Sequence, residues 1–140
     1  SLLQVPMVQS LLPAGQSVGI LTISAETFGE GVRRAAGISP DVPVRGTGDG
    51  SVFTDSILTD APGMDIEAAR EDNLAAAQAL VRDHPEVGAI VLECTNMVPF
   101  ARDIRIVTGR PVFSIYSCLV WFQAALLPKR FERDGLDSRL

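Results

Sequence analysis

The stretch VGAIVLECTNMVPFARDIRIVTG, residues 87–109, decides the fold that we expect for this chain. Its first part, residues 87–93, is a short apolar run rich in valine and isoleucine, which is typical of a strand covered on both faces in a parallel sheet. A helical segment follows from Met97, and Thr95 or Asn96 is predicted to be its N-cap. The stretch therefore predicts a buried strand, a turn and a helix in direct succession.

Cys94 stands between the end of this strand and the start of the helix. Unpaired N–H groups and the partial positive charge of a helix start favour the thiolate, and the same N–H groups can hold a substrate carboxylate. Buried cysteines after strands usually act as small hydrophobic residues, but the polar pair Thr95 and Asn96 favours a chemical role here. Glu93 is predicted to point to the opposite side of the strand and to form a hydrogen bond or ion pair.

Composition narrows the classes of function. The chain of 140 residues has 46% hydrophobic residues, which is enough for one globular domain with a core of its own. A net charge of -5 without any basic run argues against nucleic-acid binding. The longest apolar run is too short to cross a membrane. Two cysteines at unrelated positions form neither a disulfide framework nor a zinc pattern, which favours a reducing, cytoplasmic location.

Outside the first stretch, strand and helix patterns alternate. Further strands are predicted over residues 17–23, 42–44 and 111–115, and helices over residues 2–12, 28–37, 65–84 and 116–126. Thr27 and Glu30 have the spacing of a capping box. Residues 46–50, GTGDG, are predicted to form a flexible loop with no helix directly after it, and residues 128–140 a charged tail.

Alternating strands and helices at this spacing predict an α/β fold, with a four-stranded parallel sheet of the flavodoxin-like kind and helices on both faces. Ligands of such sheets bind beyond the carboxyl ends of the strands, near the point where strand order reverses. Cys94, Ser24, Thr47 and Ser114 each follow a predicted strand. We therefore expect these four residues to converge on one crevice.

Other candidate residues favour structural interpretations. Cys118 lies within an apolar helical pattern and is predicted to pack rather than to act as a second reactive thiol. His84, the single histidine, is predicted to cap the end of a helix. The glycine-rich residues 46–50 lack the Gly-Lys-Ser/Thr of a phosphate loop. Scattered aspartates fit turns and caps, so no metal site is predicted.

Several segments resemble one known family. Residues 88–97, GAIVLECTNM, followed by 99–101, PFA, and 108–113, TGRPVF, resemble the second cysteine segment of the aspartate/glutamate racemase superfamily. Residues 1–6, SLLQVP, and 19–25, GILTISA, resemble the start of the same half of those proteins. The resemblance covers nearly the whole chain, and its most specific part is Cys-Thr-Asn.

The resemblance implies a cofactor-independent enzyme with two similar α/β lobes that hold a small carboxylate substrate, such as an amino acid, between them. One cysteine thiolate removes the proton from the carbon next to the carboxylate, and the other thiol returns a proton to the opposite face. Cys94 matches the cysteine of the second lobe, and Thr95 and Asn96 match positions that contact the substrate carboxylate. Ser24 is a weaker match to a substrate-binding position.

The first-lobe cysteine segment has no counterpart here, so residues 1–140 are expected to be one lobe of a longer two-lobed protein. The alternatives are decarboxylation or cis–trans isomerisation of a small dicarboxylate, which relatives in the superfamily perform, and a non-catalytic binding or assembly lobe with an inert thiol. A separate lobe would expose the face that meets its partner. We therefore expect Trp121, Phe122 and Leu126 to lie at an interface, in a homodimer or with the missing lobe.

Overall fold

The computed structural model describes residues 1–48 and 50–130, which form a parallel sheet of four strands between layers of helices. The strands are β1 Ser17–Thr22, β2 Val44–Gly46, β3 Val87–Leu92 and β4 Val112–Phe113. The helices are α1 Gln4–Leu11, α2 Glu30–Ala36, α3 Val52–Leu58, α4 Ile66–Asp83, α5 Ala101–Thr108 and α6 Ile115–Leu126, with a 3-10 helix Thr95–Phe100 between β3 and α5. The α/β fold predicted from the sequence is confirmed.

The strand order is β2-β1-β3-β4, and all three pairings are parallel. The chain therefore moves to one side of β1 to form β2, and then crosses to its other side to form β3 and β4. The point where strand order reverses lies between β1 and β3. Since the carboxyl ends of both strands open onto the same edge, this is the edge at which an α/β sheet of this order binds ligands.

Each face of the sheet covers its own cluster of buried side chains. One face of β3 is covered by α3, α4, the 3-10 helix and α5. Within this cluster the rings of Phe53 and Phe100 pack edge to face, with their centroids 5.9 Å apart. On the other face, Val5 and Val8 of α1 pack against β1 and β3. Every residue of β3 is buried, as its apolar sequence predicts.

Two sequence predictions fail around the second strand. The strand is Val44–Gly46 instead of residues 42–44, and α3 follows the glycine-rich segment directly, although no helix was expected there. Ser51 caps α3, because its hydroxyl accepts a hydrogen bond from the N–H of Thr54 at 3.1 Å. A seven-residue helix spans only two turns and leaves little periodicity in a sequence. Residue 49 lies outside the described residues.

Two local predictions on the helices are also wrong. Thr27 and Glu30 form no capping box, because α2 begins at Glu30 after Gly29, and the Thr27 hydroxyl donates to the carbonyl of Ser24. Neither Thr95 nor Asn96 is an N-cap, since Cys94 occupies that position of the 3-10 helix.

Along α4, Ile66 is the first residue of the helix and is 54% exposed. The N-cap Asp65 is confirmed, as its carboxylate accepts hydrogen bonds from the N–H groups of Glu67 and Ala68. The end of α4 is tied to β2 by an ion pair between Asp83 and Arg45.

Helix α6 is apolar and has no buried residue. It carries no charged side chain, and Trp121, Phe122 and Leu126 are 60%, 55% and 65% exposed. Contact between so much apolar surface and water is unfavourable, so such a helix is expected to be covered by another apolar surface. The predicted interface at these residues stays a prediction, and the predicted tail lies partly outside the described residues, from residue 131 onward. No helix within residues 1–48 and 50–130 is long and apolar enough to span a bilayer.

Replacing Phe53 with alanine should lower the free energy of unfolding by about 3 to 5 kcal/mol, because the lost ring leaves a cavity against Phe100. Urea denaturation measures the change. Val52→Ala is the matched control, since Val52 is its exposed neighbour on α3 and should change stability by less than about 0.5 kcal/mol. Equal losses in the two variants would contradict the packing of α3 on this face.

Replacing Trp121 with glutamate should convert the protein from a dimer to a monomer, because a charge in the middle of an apolar contact is costly to desolvate. Sedimentation velocity measures the assembly state. Ile66→Glu is the control, because Ile66 is similarly exposed on α4. A wild-type protein that is already monomeric would contradict a homodimer through α6 and leave the missing lobe as the expected partner, and a dimer that survives Trp121→Glu would contradict a dimer interface at α6.

Candidate functional site

Cys94 directly follows β3, at the carboxyl end of a strand that is buried along its whole length. Its backbone is extended, and the 3-10 helix starts at the next residue. The strand end is held in place because the N–H of Glu93 donates to the carbonyl of Leu21 at 2.8 Å. The side chain of Cys94 packs partly against the core of α3, α4 and α5 and is half-buried. The predicted position of the thiol, at a strand end where a helix begins, is confirmed.

The backbone N–H groups of Asn96 and Met97, at the start of the 3-10 helix, lower the pKa of the Cys94 thiol. The net effect of its surroundings is nevertheless to raise the pKa of the thiol. Burial raises the pKa most, the two N–H groups lower it, and the negative charge of Glu93 raises it further. The two N–H groups favour the thiolate, as the sequence predicts for a helix start. The prediction that the thiolate is favoured overall is wrong, because burial raises the pKa by more than the N–H groups lower it, and Cys94 is a protonated thiol at neutral pH.

Glu93 lies on the opposite side of the strand end from Cys94, as alternation predicts. Its carboxylate oxygen Oε2 accepts a hydrogen bond of 3.0 Å from the hydroxyl of Thr22, the last residue of β1. Thr22 is 3% exposed and therefore has little freedom to move. The prediction that Glu93 forms a hydrogen bond is confirmed, and the bond links the ends of the two central strands.

The side chains of Thr95 and Asn96 are exposed beside Cys94. Neither side chain caps the 3-10 helix, and within the described part of the chain neither forms a hydrogen bond with another protein group. Their polar atoms therefore remain available to an external ligand. Their proposed role in carboxylate binding stays a prediction.

Ser24 follows β1 and lines a cavity of about 230 Å³ together with Arg45 and Gly46. Gly46 is required there, because a Cβ at this position would lie 2.9 Å from the backbone nitrogen of Ala25. Cys94 does not line this cavity. Ser24 and Cys94 thus follow adjacent strands at one edge of the sheet. No described contact joins the two side chains, so a site shared by both stays a prediction.

The other two residues expected in the crevice have structural partners. The hydroxyl of Thr47 lies 2.6 Å from that of Thr54, which in turn donates to the carbonyl of Ile23. Ser114 is buried and forms a capping box with Ser117 at the start of α6. Both residues stabilise the edge of the sheet through bonds of their own, and no described contact or cavity joins any two of the four side chains, so their convergence on one crevice stays a prediction.

Sequence reasoning missed three polar residues at this edge. Thr22 was hidden within a strand pattern, and Thr54 lies in the short helix that was not predicted. The serine three positions before Thr54 was the available signal, since Ser51 and Thr54 have N-cap spacing. The hydroxyl of Ser1 also reaches this edge and donates to the carbonyl of Leu92 at 2.6 Å.

The position of His84 agrees with its structural interpretation, and the packing of Cys118 stays a prediction. Cys118 is half-buried on α6, and His84 is the C-cap residue of α4 with its ring 3.3 Å from the carboxylate of Glu86. Within the part of the chain that the structure describes, no three His, Cys, Asp or Glu side chains are grouped to hold a metal ion. A second cavity, of about 360 Å³, lies between α1 and the segment after α2 and does not touch Cys94.

No family model matches the sequence. Over 50 residues the chain is 36% identical to a dimethylsulfoniopropionate lyase from Durusdinium sp. clade D, a segment that covers 36% of this chain and 17% of the lyase. The crystal structure of allantoin racemase from Pseudomonas fluorescens has a TM-score of 0.63 to this chain at 20% identity. That similarity covers 98% of this chain and 53% of the racemase chain. The chain thus has the fold of about half of that racemase chain.

In a Cys118→Ser background, where Cys94 is the remaining cysteine, alkylation by iodoacetamide at pH 7 should be slower than that of a small free thiol. The thiolate is the reactive form, and a raised pKa reduces its fraction, so the rate should have its midpoint above the ordinary pKa of 9.0. Glu93→Gln should lower that midpoint, whereas Glu86→Gln, before the other end of β3, should leave it unchanged. A midpoint below 9.0 would contradict the raised pKa.

Proposed function

We propose that this chain is one α/β lobe of a cofactor-independent, racemase-like enzyme in which Cys94 transfers a proton at the carbon next to a substrate carboxylate. The observation that carries the proposal is the position of the half-buried Cys94 thiol, at the carboxyl end of the fully buried strand β3 and directly before the 3-10 helix. The fold shared with allantoin racemase is consistent with this class of reaction.

The protonated state of Cys94 suits the step in which a proton is returned. In that step the S–H bond breaks, the electron pair of the carbanion forms a new C–H bond, and the sulfur keeps the S–H electron pair as a thiolate. The N–H groups of Asn96 and Met97 then stabilise the charge that develops on sulfur. Because they are backbone groups fixed by the 3-10 helix, they need no rearrangement during the reaction.

The side chains of Thr95 and Asn96 are proposed to bind the substrate carboxylate. Both are exposed beside Cys94, and neither is engaged by another protein group in residues 1–48 and 50–130. Ser24 is proposed to contact the substrate from the end of the adjacent strand. Its place in the cavity with Gly46 leaves room for a small ligand at that end of β1.

Racemisation needs a second base on the opposite face of the substrate. Cys118 is not proposed for that role, because it lies on α6 of the same lobe, whereas the second base must face Cys94 from across the substrate. We propose that the second base belongs to another lobe that faces this edge. The coverage of 53% of the allantoin racemase chain leaves room for such a lobe in a protein of that length.

The similarity to a dimethylsulfoniopropionate lyase favours a second candidate reaction. Removal of the proton from the carbon next to the carboxylate leads to elimination when the adjacent carbon, one bond further from the carboxylate, carries a leaving group. From dimethylsulfoniopropionate, loss of that proton and of dimethyl sulfide would give acrylate. Decarboxylation and cis–trans isomerisation remain alternatives for the same thiol, as does a non-catalytic lobe.

Solvent deuterium exchange tests the proposal directly. The full-length protein in D₂O should exchange the proton next to the carboxylate in a panel of amino acids and small carboxylic acids, and Cys94→Ser should exchange it at least about a hundredfold more slowly, because a positioned acid or base contributes about that much. Cys118→Ser is the control and should retain exchange.

The readout separates the candidate reactions. Proton NMR of the same samples detects exchange at the carbon, release of dimethyl sulfide, loss of a carboxyl group, or isomerisation of maleate. Equal exchange in the wild type and Cys94→Ser would exclude proton transfer by Cys94 and leave the non-catalytic lobe.

A further inference from the structure

Gln4, the first residue of α1, is a polar residue buried in the fold. It is 4% exposed, although glutamine is usually a surface residue. A buried amide has lost its hydrogen bonds to water, so it destabilises the fold unless protein groups replace them. The partners of Gln4 therefore show which parts of the chain this side chain holds together.

The amide nitrogen of Gln4 is directed at two backbone carbonyls. Nε2 donates to the carbonyl of Ser114, the residue directly after β4, at 2.9 Å, and to the carbonyl of Ser1 at 3.2 Å. Oε1 accepts a hydrogen bond of 3.2 Å from the hydroxyl of Ser117 in the first turn of α6. An amide turned the other way would place its oxygen against two carbonyl oxygens, so its orientation is fixed. One side chain thus joins α1 to the end of β4 and to α6.

Ser1 extends this network to the candidate site. Its hydroxyl donates to the carbonyl of Leu92 at 2.6 Å and lies 3.2 Å from the carbonyl oxygen of Glu93. The carbonyl of Glu93 belongs to the peptide that joins this residue to Cys94. Because a peptide is planar, a contact that holds its carbonyl also orients the Cα atom of Cys94. The network therefore reaches from Gln4 through Ser1 to the backbone of the thiol residue.

The backbone of Cys94 lies beyond the last paired residues of the two central strands, Leu21 and Leu92. Hydrogen-bonding groups hold it on both sides: the Ser1 hydroxyl contacts the peptide before Cys94, and the N–H of Met97 donates to the carbonyl after it at 3.2 Å. The thiol is half-buried and packs partly against the core. The depth of the sulfur in that core therefore depends on contacts made outside the strand pairing.

We propose that Gln4 is a positioning residue for Cys94, which it holds in place through Ser1 and connects to the start of α6 through Ser117. The inference rests on the proposed function for its consequence in catalysis, whereas the hydrogen bonds that carry it are independent of any reaction. Groups in a fully bonded buried network restrict one another more than separate bonds do. A shift in the first turn of α6 therefore reaches the thiol through the same amide.

Alkylation by iodoacetamide in the Cys118→Ser background measures how accessible Cys94 is. Gln4→Met keeps the length of the side chain and removes its hydrogen bonds, so the thiol should become less buried. Alkylation at pH 7 should be at least about fivefold faster, the factor that corresponds to about 1 kcal/mol, a typical value for one hydrogen bond. The midpoint of its pH profile should fall, because burial is the largest cause of the raised pKa of Cys94.

Gln9→Met in the same background is the matched control. Gln9 lies on the same helix, and its amide also binds two backbone groups, the carbonyl of Gln16 and the N–H of Val18, but at the amino end of β1. The variant should lower the melting temperature and leave the alkylation rate and the midpoint unchanged. Equal increases of the rate in Gln4→Met and Gln9→Met would show a general loosening of the fold and overturn the role of Gln4.

Ser1→Ala and Ser117→Ala each remove one hydroxyl from the network and keep the test decisive if Gln4→Met does not fold. Each should speed alkylation of Cys94, and Gln4→Met combined with Ser117→Ala should be no faster than Gln4→Met alone, because both changes break the same connection. An unchanged rate in both serine variants, or additive effects in the double variant, overturns the proposal. Failure of the proposed function is a separate result, namely equal deuterium exchange in the wild type and Cys94→Ser.

Discussion

Parallel pairing of β3 with β1 on one side and β4 on the other is the constraint on which the candidate site depends. All six residues of β3 are buried, so the strand can neither slide nor rotate without exposing apolar surface. The hydrogen bond from the N–H of Glu93 to the carbonyl of Leu21 continues the pairing of β1 and β3 to the carboxyl end of β3. Cys94 is the next residue in the chain, so its backbone is held in place by the end of β3.

Two opposing effects meet at the sulfur of Cys94. Packing against the core withdraws the thiol from water and disfavours its charged form, while two N–H groups at the start of the 3-10 helix favour it. Because burial is the larger effect, the N–H groups do not produce a resting thiolate. They lower the cost of charging the sulfur whenever a reaction requires it. The protonated form of the thiol is the one that the proposed return of a proton to the substrate requires.

Hydroxyl groups hold together the edge on which this site lies. Thr22 binds Glu93 across the two central strands, and Thr47 and Thr54 connect the end of β2 to α3 and to the carbonyl of Ile23. These bonds satisfy polar groups where the sheet ends and water begins to enter. The side chains of Thr95 and Asn96 remain exposed beside the sulfur. Among the described residues, no cation forms an ion pair with Glu93.

The sequence by itself determined the parallel α/β architecture, the buried strand β3 and the location of Cys94 at its end, because apolar runs and helical periodicity are local properties of a chain. It did not determine α3, since two helical turns leave little pattern, or the N-cap at Cys94, where several polar residues compete for one position. The direction in which the pKa of Cys94 is shifted and the bond between Thr22 and Glu93 were decided by the tertiary structure alone. Burial and charge are sums over neighbours that lie far apart in the sequence, so they exist only once β1 and β3 are side by side.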